Sequence, residues 1–336
     1  MILVTGATGI LGRVIVLELL KKGKKVRATK RKSSNLKDVS DSYKFYTDQP
    51  DFYFNQVEWI DADFNNMESL KNALQNVEEV YHCAAKVGFN PKYEKELYKT
   101  NVDGTKNLLY AIEQSSVKKF LFVSSIAVLD GYNEDGLTDE DSDFNPKVDH
   151  SAYAISKHLA EMEVWRALAE GLSTVIINPG MIIGSGNWGH SSGKLFQEMS
   201  NGFTFPGSTA LVDVRDVSNI ALELMEKSVF GERFIITSEN VKFKHIADKV
   251  RKYFGKKPAV IISNSILNLL PFFSVMLGWL IPFLQLGNRT NVETIKADSK
   301  ITNKKIRETL NYEFIQIDES IDFHLKNYAE SIQKSN

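Results

Sequence analysis

Residues 3–12, Leu-Val-Thr-Gly-Ala-Thr-Gly-Ile-Leu-Gly, constrain this chain more than any other segment. Gly6, Gly9 and Gly12 separate a short apolar strand pattern at 2–4 from a helix pattern at 11–22. A glycine at such a turn permits backbone angles closed to other residues. A second lets the backbone approach a pyrophosphate, and a third packs helix against strand. The helix start then offers its free N–H groups to phosphate oxygens. The spacing is G-x-x-G-x-x-G, and its strand-before, helix-after context points to a dinucleotide site rather than a plain turn.

The rest of the first half repeats the rhythm. Strand patterns at 25–29, 57–60, 79–83, 119–124 and 173–178 alternate with helix patterns at 67–74, 94–115 and 151–170. Strands separated by helices imply parallel βαβ units. The expected fold class is therefore α/β, a Rossmann-type doubly wound parallel sheet. After Pro179 the rhythm changes: 184–205 reads as loop with a short helix, 212–227 as a strand or loop entering a helix, 231–237 as a strand, 244–254 as a helix, and the tail from about 299 as polar helix. This divides the chain into a dinucleotide-binding domain at 1–180 plus 209–240, and a smaller, mostly helical C-terminal substrate domain at 181–208 plus 241–336.

Enzymes that use NAD place a carboxylate after the second strand to bond the ribose hydroxyls. Here Lys30-Arg31-Lys32 stands there instead. A guanidinium grips a 2′-phosphate in bidentate fashion. The triplet points to NADP(H), with Arg31 as the main phosphate ligand; NAD(H) and a solvated basic loop are the alternatives.

Tyr153 and Lys157 lie four residues apart in Tyr-Ala-Ile-Ser-Lys, which puts them on one helix face. A neighbouring ammonium favours the phenolate and lowers the tyrosine pKa from its usual value near 10. Tyrosine then exchanges a proton with a carbonyl or alcohol oxygen. Ser124 and Ser125 end the 119–124 strand, at the sheet edge where such folds bind ligands.

With these pieces assembled, the chain resembles the extended short-chain dehydrogenase/reductase, or NAD(P)-dependent epimerase/dehydratase, family. The resemblance rests on Thr5-Gly-Ala-Thr-Gly-Ile-Leu-Gly12, Asp63-Phe64, His82-Cys-Ala-Ala85, Asn101-Val-Asp-Gly-Thr-Lys-Asn107, Val123-Ser-Ser125, Tyr153-Ala-Ile-Ser-Lys157, Asn178-Pro-Gly180 and Asp213-Val-Arg-Asp-Val217, in the family order over about 2–255. It implies that Gly6, Thr8, Gly9, Ile10, Leu11 and Gly12 hold the cofactor phosphates, that Asp63 and Phe64 contact adenine, and that Ala84, Ala85 and Lys86 line the groove. It places Pro179 and Gly180 beside the nicotinamide, with Ser124 and Ile182 also in the cofactor site. Ser125, Tyr153, Lys157 and Asn101 become the catalytic set. Ser125 is preferred to Ser124 because Ile-Ala-Val follows it. Val26-Arg-Ala-Thr-Lys-Arg31 resembles the dihydroflavonol-reductase-like subgroup, which implies NADPH-dependent reduction of a ketone or aldehyde. Two departures, Asn178 in place of Arg and Leu129-Asp130 in place of Tyr-Gly, weigh against a nucleotide-sugar substrate.

Other signals bound the reading. The net charge is −1, so nothing global points to nucleic acid. No metal-ligand spacing is found, and of the six histidines His82 is expected near the cofactor and the others in surface or loop positions. Trp188 and His190 are either substrate contacts or linker. The acidic run 134–143 reads as a solvated loop. The single Cys83 reads as a buried small hydrophobe, and with no signal peptide apparent a cytoplasmic location is expected. From Pro258 to Asn288 there is no charged residue. Pro271 and Pro282 disfavour a spanning helix. The stretch is read as short buried or lid helices over an apolar pocket, or as a peripheral membrane contact through 266–287. A small hydrophobic substrate and a homodimer through the 94–115 and 151–170 helices complete the expectation. The alternatives are a hydroxysteroid-dehydrogenase-like enzyme, a nucleotide-sugar epimerase/dehydratase, and a non-catalytic NADP-sensing protein.

Overall fold

The computed structural model describes residues 1–189, 194–277 and 281–333. The chain begins β1 (Ile2–Thr5), α1 (Ile10–Lys21), β2 (Val26–Lys30), α2 (Leu36–Tyr43), α3 (Pro50–Phe54), β3 (Glu58–Asp61), α4 (Met67–Ala73) and β4 (Glu79–His82). It continues α5 (Glu94–Leu97), α6 (Gly104–Glu113), β5 (Lys119–Val123), α7 (Ala152–Ala169), β6 (Ser173–Pro179) and β7 (Met181–Ile183). Next come α8 (Leu195–Met199), β8 (Phe203–Thr204), β9 (Ser208–Asp213), α9 (Val214–Glu226), β10 (Glu232–Ile236), β11 (Glu239–Lys242), α10 (Phe243–Tyr253) and β12 (Val260–Ile261). The tail holds α11 (Asn264–Leu277), α12 (Arg289–Lys296), α13 (Lys304–Leu310) and α14 (Ile317–Gln333).

Seven strands form a sheet in the order β10-β6-β5-β4-β1-β2-β3, and every pair in it is parallel. The chain steps outward from β1 to β3, then returns to β4 and builds the other way. The order reverses between β1 and β4, where a crevice opens beyond the carboxyl ends of the strands. Both faces of this sheet are covered, so its strands are apolar on both sides. Val4, Leu121, Val175 and Ile177 enter one core with α1 and α9. Their sequence neighbours Leu3, Phe120, Phe122 and Ile176 enter the other, against α4, α6 and α7. The period of two in strand side chains produces this division.

The later segments build a third core. A three-stranded sheet, β11-β9-β7, carries Ile183, Leu211 and Val241 against Phe196, Ile246, Val250 and Leu325. The C-terminal region is mostly helical, as expected, and its helices pack on this small sheet. The 94–115 helix is not continuous. A π-helical stretch, residues 98–103, separates α5 from α6. Such insertions widen one turn and are frequent at functional sites.

Among the described residues, most of the apolar stretch after Pro258 is exposed. In α11 Leu267 is fully enclosed, while Ile266, Leu269, Phe272, Phe273, Val275 and Met276 are exposed. Pro271 sits inside α11, and Pro282 opens a short 3₁₀ turn. No helix among the described residues is long and apolar enough to cross a membrane. Two further expectations change. His324 is fully buried rather than at the surface, and Glu140 of the acidic run turns inward to accept the Ile235 N–H at 2.8 Å.

Candidate active site

Because the main-sheet strands are parallel, the loops after β1, β2, β3, β4, β5 and β6 leave from one edge. That edge gathers Gly6, Arg31, Asp63, Cys83, Ser124 and Gly180. Gly6 has φ +64°, and a Cβ there would strike the Ala84 and Cys83 backbone at 2.6–2.7 Å. A Cβ on Gly12 would meet the Gly6 oxygen at 2.4 Å. Gly9 differs: its Cβ would meet only that oxygen, at 3.1 Å, so the loop is open on this side. Gly9 caps α1 without a side-chain hydrogen bond, so the N–H groups of Ile10, Leu11 and Gly12 face the opening. The Leu11 side chain is core, so only its backbone can serve a ligand.

One residue that organises this loop was missed. Arg13 is 1% exposed and donates to the carbonyls of Gly9 at 3.2 Å and Thr8 at 2.6 Å, and to the Asp38 carboxylate at 2.8 Å. It binds the loop's oxygens from behind and leaves its N–H groups to the crevice. A lone arginine in the apolar 10–20 run was the available signal.

Arg31 is exposed just past β2, its N–H held by the Ser34 hydroxyl at 3.0 Å. Asp63 is likewise exposed. Phe64 is half-buried and stacks on the His82 ring at 5.8 Å. Behind the loop a buried chain of hydrogen bonds fixes β4. The Thr105 hydroxyl donates to the Asn101 carbonyl at 2.6 Å and so accepts from His82 Nε2 at 3.0 Å. Nδ1 of His82 is then left to accept from the Thr5 hydroxyl at 2.6 Å, which accepts the Ala84 N–H at 3.2 Å. Burial, with the Lys157 charge, pushes the His82 pKa down to about 3, so the ring is neutral.

Asn101 lies in the π-helical stretch and is 1% exposed. Its Oδ1 accepts the Lys86 N–H at 2.7 Å. Its Nδ2 donates to the Lys86 carbonyl at 3.0 Å and the Ser156 hydroxyl at 2.9 Å. Asn101 therefore clamps the 84–86 wall to α7. The Lys86 ammonium pairs with Glu96 over the Tyr93 ring.

On α7, Tyr153 meets the Phe89 ring edge-on at 5.7 Å. Burial raises the phenol's pKa, and a hydrogen bond with the Ser125 hydroxyl opposes it. Lys157 is 2% exposed and donates to the Val123 carbonyl at 2.7 Å, its Nζ 4.2 Å from the Phe122 ring centre. Burial lowers its pKa to about 7, with Glu161 and Cys83 opposing. The ammonium was expected to lower the tyrosine pKa; it is instead committed to the strand end, and the group acting on the phenol is Ser125.

The two serines have different partners. Ser124 donates to the Glu161 carboxylate at 2.6 Å. That carboxylate is 1% exposed and also accepts from Asn178 Nδ2 at 3.1 Å, Arg233 at 3.3 Å and Trp165 Nε1 at 3.4 Å. Asn178 Nδ2 reaches the Ser125 carbonyl at 3.1 Å. Glu161 thus anchors the end of β5 from behind, while the Ser125 side chain points toward Tyr153. Glu161 lies one turn beyond Lys157, a spacing that was readable in the sequence.

Pro179 is buried, paired with Ile236. Gly180 is required by packing, since a Cβ would strike the Ala210 carbonyl at 2.6 Å. Ile182 is half-buried against the first core. Trp188 packs with Phe45, Phe196 and Tyr328, and His190 lies outside the described residues. A cleft of about 250 Å³ is lined by Phe89, His150, Ala152, Ile155, Asn288 and Asn291 among others; Tyr153 does not line it, and Phe89, whose ring meets Tyr153, stands between the two.

The comparisons with known proteins bear on this arrangement. The model of the NAD dependent epimerase/dehydratase family matches residues 2–235. The chain belongs to that family. It is 30% identical over 257 residues to sterol demethylase protein B of Methylococcus capsulatus, covering 75% of this chain and 74% of that protein. It is 29% identical to a putative dihydroflavonol 4-reductase of Synechocystis, covering 72% and 69%. Among solved structures, gox2253 superposes with a TM-score of 0.82 at 23% identity, covering 98% of each chain. The Thermus thermophilus UDP-glucose 4-epimerase in complex with NAD gives 0.74 at 19%, covering 98% of each. These solved structures share the fold. Membership makes this chain a nicotinamide-dinucleotide-dependent enzyme, and the open glycine loop fits such a group.

Proposed function

We propose that the protein is an NADP(H)-dependent reductase that converts a hydrophobic ketone or aldehyde to an alcohol. The observation that carries this reading is the pairing of Tyr153 with the Ser125 hydroxyl, above a buried Lys157, at the carboxyl edge of the sheet. When bound, the reduced nicotinamide supplies a hydride to the carbonyl carbon. The 9–12 amides would hold the cofactor's phosphates, with the 84–86 backbone along its groove. Ser125 donates a hydrogen bond to the carbonyl oxygen, and Tyr153 delivers the proton to it. Lys157 would serve the cofactor ribose, and in its protonated form its positive charge offsets the negative phenolate left on Tyr153 as the proton leaves. Arg31, free of a carboxylate neighbour in sequence, takes the 2′-phosphate. Residues 1–180 with 209–240 form the cofactor-binding part, and 181–208 with 241–336 shape the substrate pocket.

The relative named for sterol demethylation favours a second reading, a hydroxysteroid-dehydrogenase-like enzyme acting on a polycyclic alcohol or ketone. The exposed Tyr110, Leu159 and Met162 on α6 and α7 support a homodimer through those helices. A single-chain mass by light scattering would reject it. The function itself is tested by NADPH oxidation against a panel of lipophilic and water-soluble carbonyls, beside Tyr153→Phe. Turnover that survives in the variant refutes the proton-donor assignment. An Arg31→Glu protein with undiminished preference for NADPH over NADH refutes the phosphate assignment.

A further inference from the structure

The α11 segment presents an unusual surface. Its inner stripe is narrow: Leu267 is buried, with Leu270 and Ser274 half-buried at helical spacing. Its outer arc holds Ile266, Leu269, Phe272 and Val275, the last 82% exposed. The adjoining two-stranded sheet adds Phe203 at 65% and Val260 at 61% exposed. A contiguous apolar face of this kind marks an interaction site rather than ordinary surface.

The charge in the flanking sequence has one sign, and the Glu293 carboxylate of the neighbouring α12 is already paired with Lys296. Between residues 249 and 292 there is no aspartate or glutamate. Lys252, Lys256 and Lys257 are exposed just before the face, and Arg289 is exposed just after it. The basic Lys249 is already matched by Asp318 and Asp322. At 14 residues α11 is about 21 Å long, too short to span a bilayer and suited to lying along its surface. Exposed Asn264 and Asn268, the latter accepting from Lys296 at 3.0 Å, supply polar groups beside the apolar arc.

The far end of the segment reaches the active site. Asn291 Nδ2 donates to the Leu286 and Phe89 carbonyls, both at 3.0 Å. The Phe89 ring is the one that meets Tyr153.

We propose that this face docks on a lipid bilayer bearing anionic headgroups, so that a lipophilic carbonyl substrate enters from the membrane surface past Phe89 toward Tyr153. The substrate half rests on the reductase reading above; the docking half does not. Apolar side chains enter the acyl boundary, and the lysines and Arg289 meet the headgroups. A second copy of the chain would have to match this basic collar with acidic groups, whereas an anionic bilayer matches it anywhere.

The test is co-sedimentation of the full chain with phosphatidylcholine vesicles, with and without about 30% phosphatidylglycerol, a composition that sets the surface charge. The wild-type chain is expected to bind the anionic vesicles and to be released by salt. Phe272→Glu with Val275→Glu is expected to lower partitioning at least about tenfold, from the loss of two inserted side chains. Lys256→Glu with Lys257→Glu is expected to remove the preference for anionic lipid. An unchanged thermal transition keeps misfolding out of the comparison. Turnover of a water-soluble carbonyl should be equal in all three proteins, so its absence would refute the reductase reading and leave the docking result standing. Equal partitioning of wild type and the apolar variant overturns the docking. So does an apolar variant that changes the oligomeric mass and leaves vesicle binding untouched, because the face would then belong to a second copy.

Discussion

Glu161→Gln is the perturbation that most directly examines how this site is held. The carboxylate accepts from Ser124 and Asn178 on one oxygen, and from Arg233 and Trp165 on the other. A carboxamide has the same shape but accepts on one edge only. Whichever edge carries the NH₂ confronts donors, so the variant cannot satisfy the pocket. Removing one partner of a buried ion pair costs about 3–5 kcal/mol. Arg233 keeps the Glu140 and Ser142 carbonyls and the exposed Asp143, which places the loss near the lower end, about 3 kcal/mol. The second consequence is electrostatic. Burial holds the Lys157 pKa at about 7 against the opposing charge of Glu161. Without that charge the pKa falls further, and protonated Lys157 is lost at lower pH. If that ammonium is required, the alkaline limb of kcat/KM moves to lower pH, by roughly one unit or more. Urea unfolding and a pH–rate profile measure the two effects separately. A stable variant refutes the account of the buried network. A destabilised variant with an unmoved alkaline limb reduces Glu161 to a structural group.

Lys157→Met should abolish turnover yet raise the unfolding temperature by a few degrees, because an apolar side chain replaces a buried charge. The unfolded lysine keeps its proton to about pH 10.4 and the folded one only to about 7. The unfolded wild-type chain therefore binds more protons between these values, and its stability rises with pH. The advantage of the variant, followed by thermal melts, should be largest below pH 7 and shrink toward pH 10. Asp213→Asn should cost about 3–5 kcal/mol in urea, since the fully buried carboxylate accepts from Arg215, Ser320 and His324. Burial would raise its pKa, but the His324 and Arg215 hydrogen bonds outweigh this and hold it well below the carboxylate range. This part of the stability should accordingly be flat near neutrality and fade only in strong acid. Burial pushes the Cys83 thiol up to about 12, so alkylation by iodoacetamide at pH 8 should be slow. Cys83 adjoins the glycine loop, and NADPH should slow the reaction further; an unaffected rate would contradict the cofactor placement.

The main sheet was legible because its signals are local. Apolar runs bounded by helix patterns, and three glycines at a strand–helix turn, act within about ten residues. The two small sheets, β11-β9-β7 and β12-β8, were not. β7 has three residues and β8 and β12 two each, too short to carry a period, and their pairing is set by tertiary packing. The break in the 94–115 helix is a widened turn in a sequence with no proline, and its one glycine, Gly104, follows the insertion. Periodicity runs through it unmarked. The roles of the positioning charges were hidden for a different reason. Arg13, Glu161 and His324 each sit on a helix whose other features read normally, and their partners lie far away in sequence: Asp38 for Arg13, Ser124 and Arg233 for Glu161, and Ser185 and Asp213 for His324.

These buried charges have a common placement. Glu161 ties α7 to the ends of β5 and β6 and to β10. Asp213, at the end of β9, receives His324 and Ser320 of α14, and the same His324 accepts the Ser185 hydroxyl past β7 at 2.7 Å. The second array has the residue types of a serine–histidine–aspartate relay, but His324, Asp213 and Ser185 are all completely buried. No substrate reaches them, and their geometry fastens the C-terminal helix across the small sheet. Each network joins the carboxyl end of a strand to a helix that arrives later in the chain. Buried ion pairs contribute little net stability and impose strong geometric demands. Here they fix the strand ends that carry Ser125 and Gly180. The α11 face, which such networks do not restrain and which exposes its apolar side chains, is left as the part able to meet a surface.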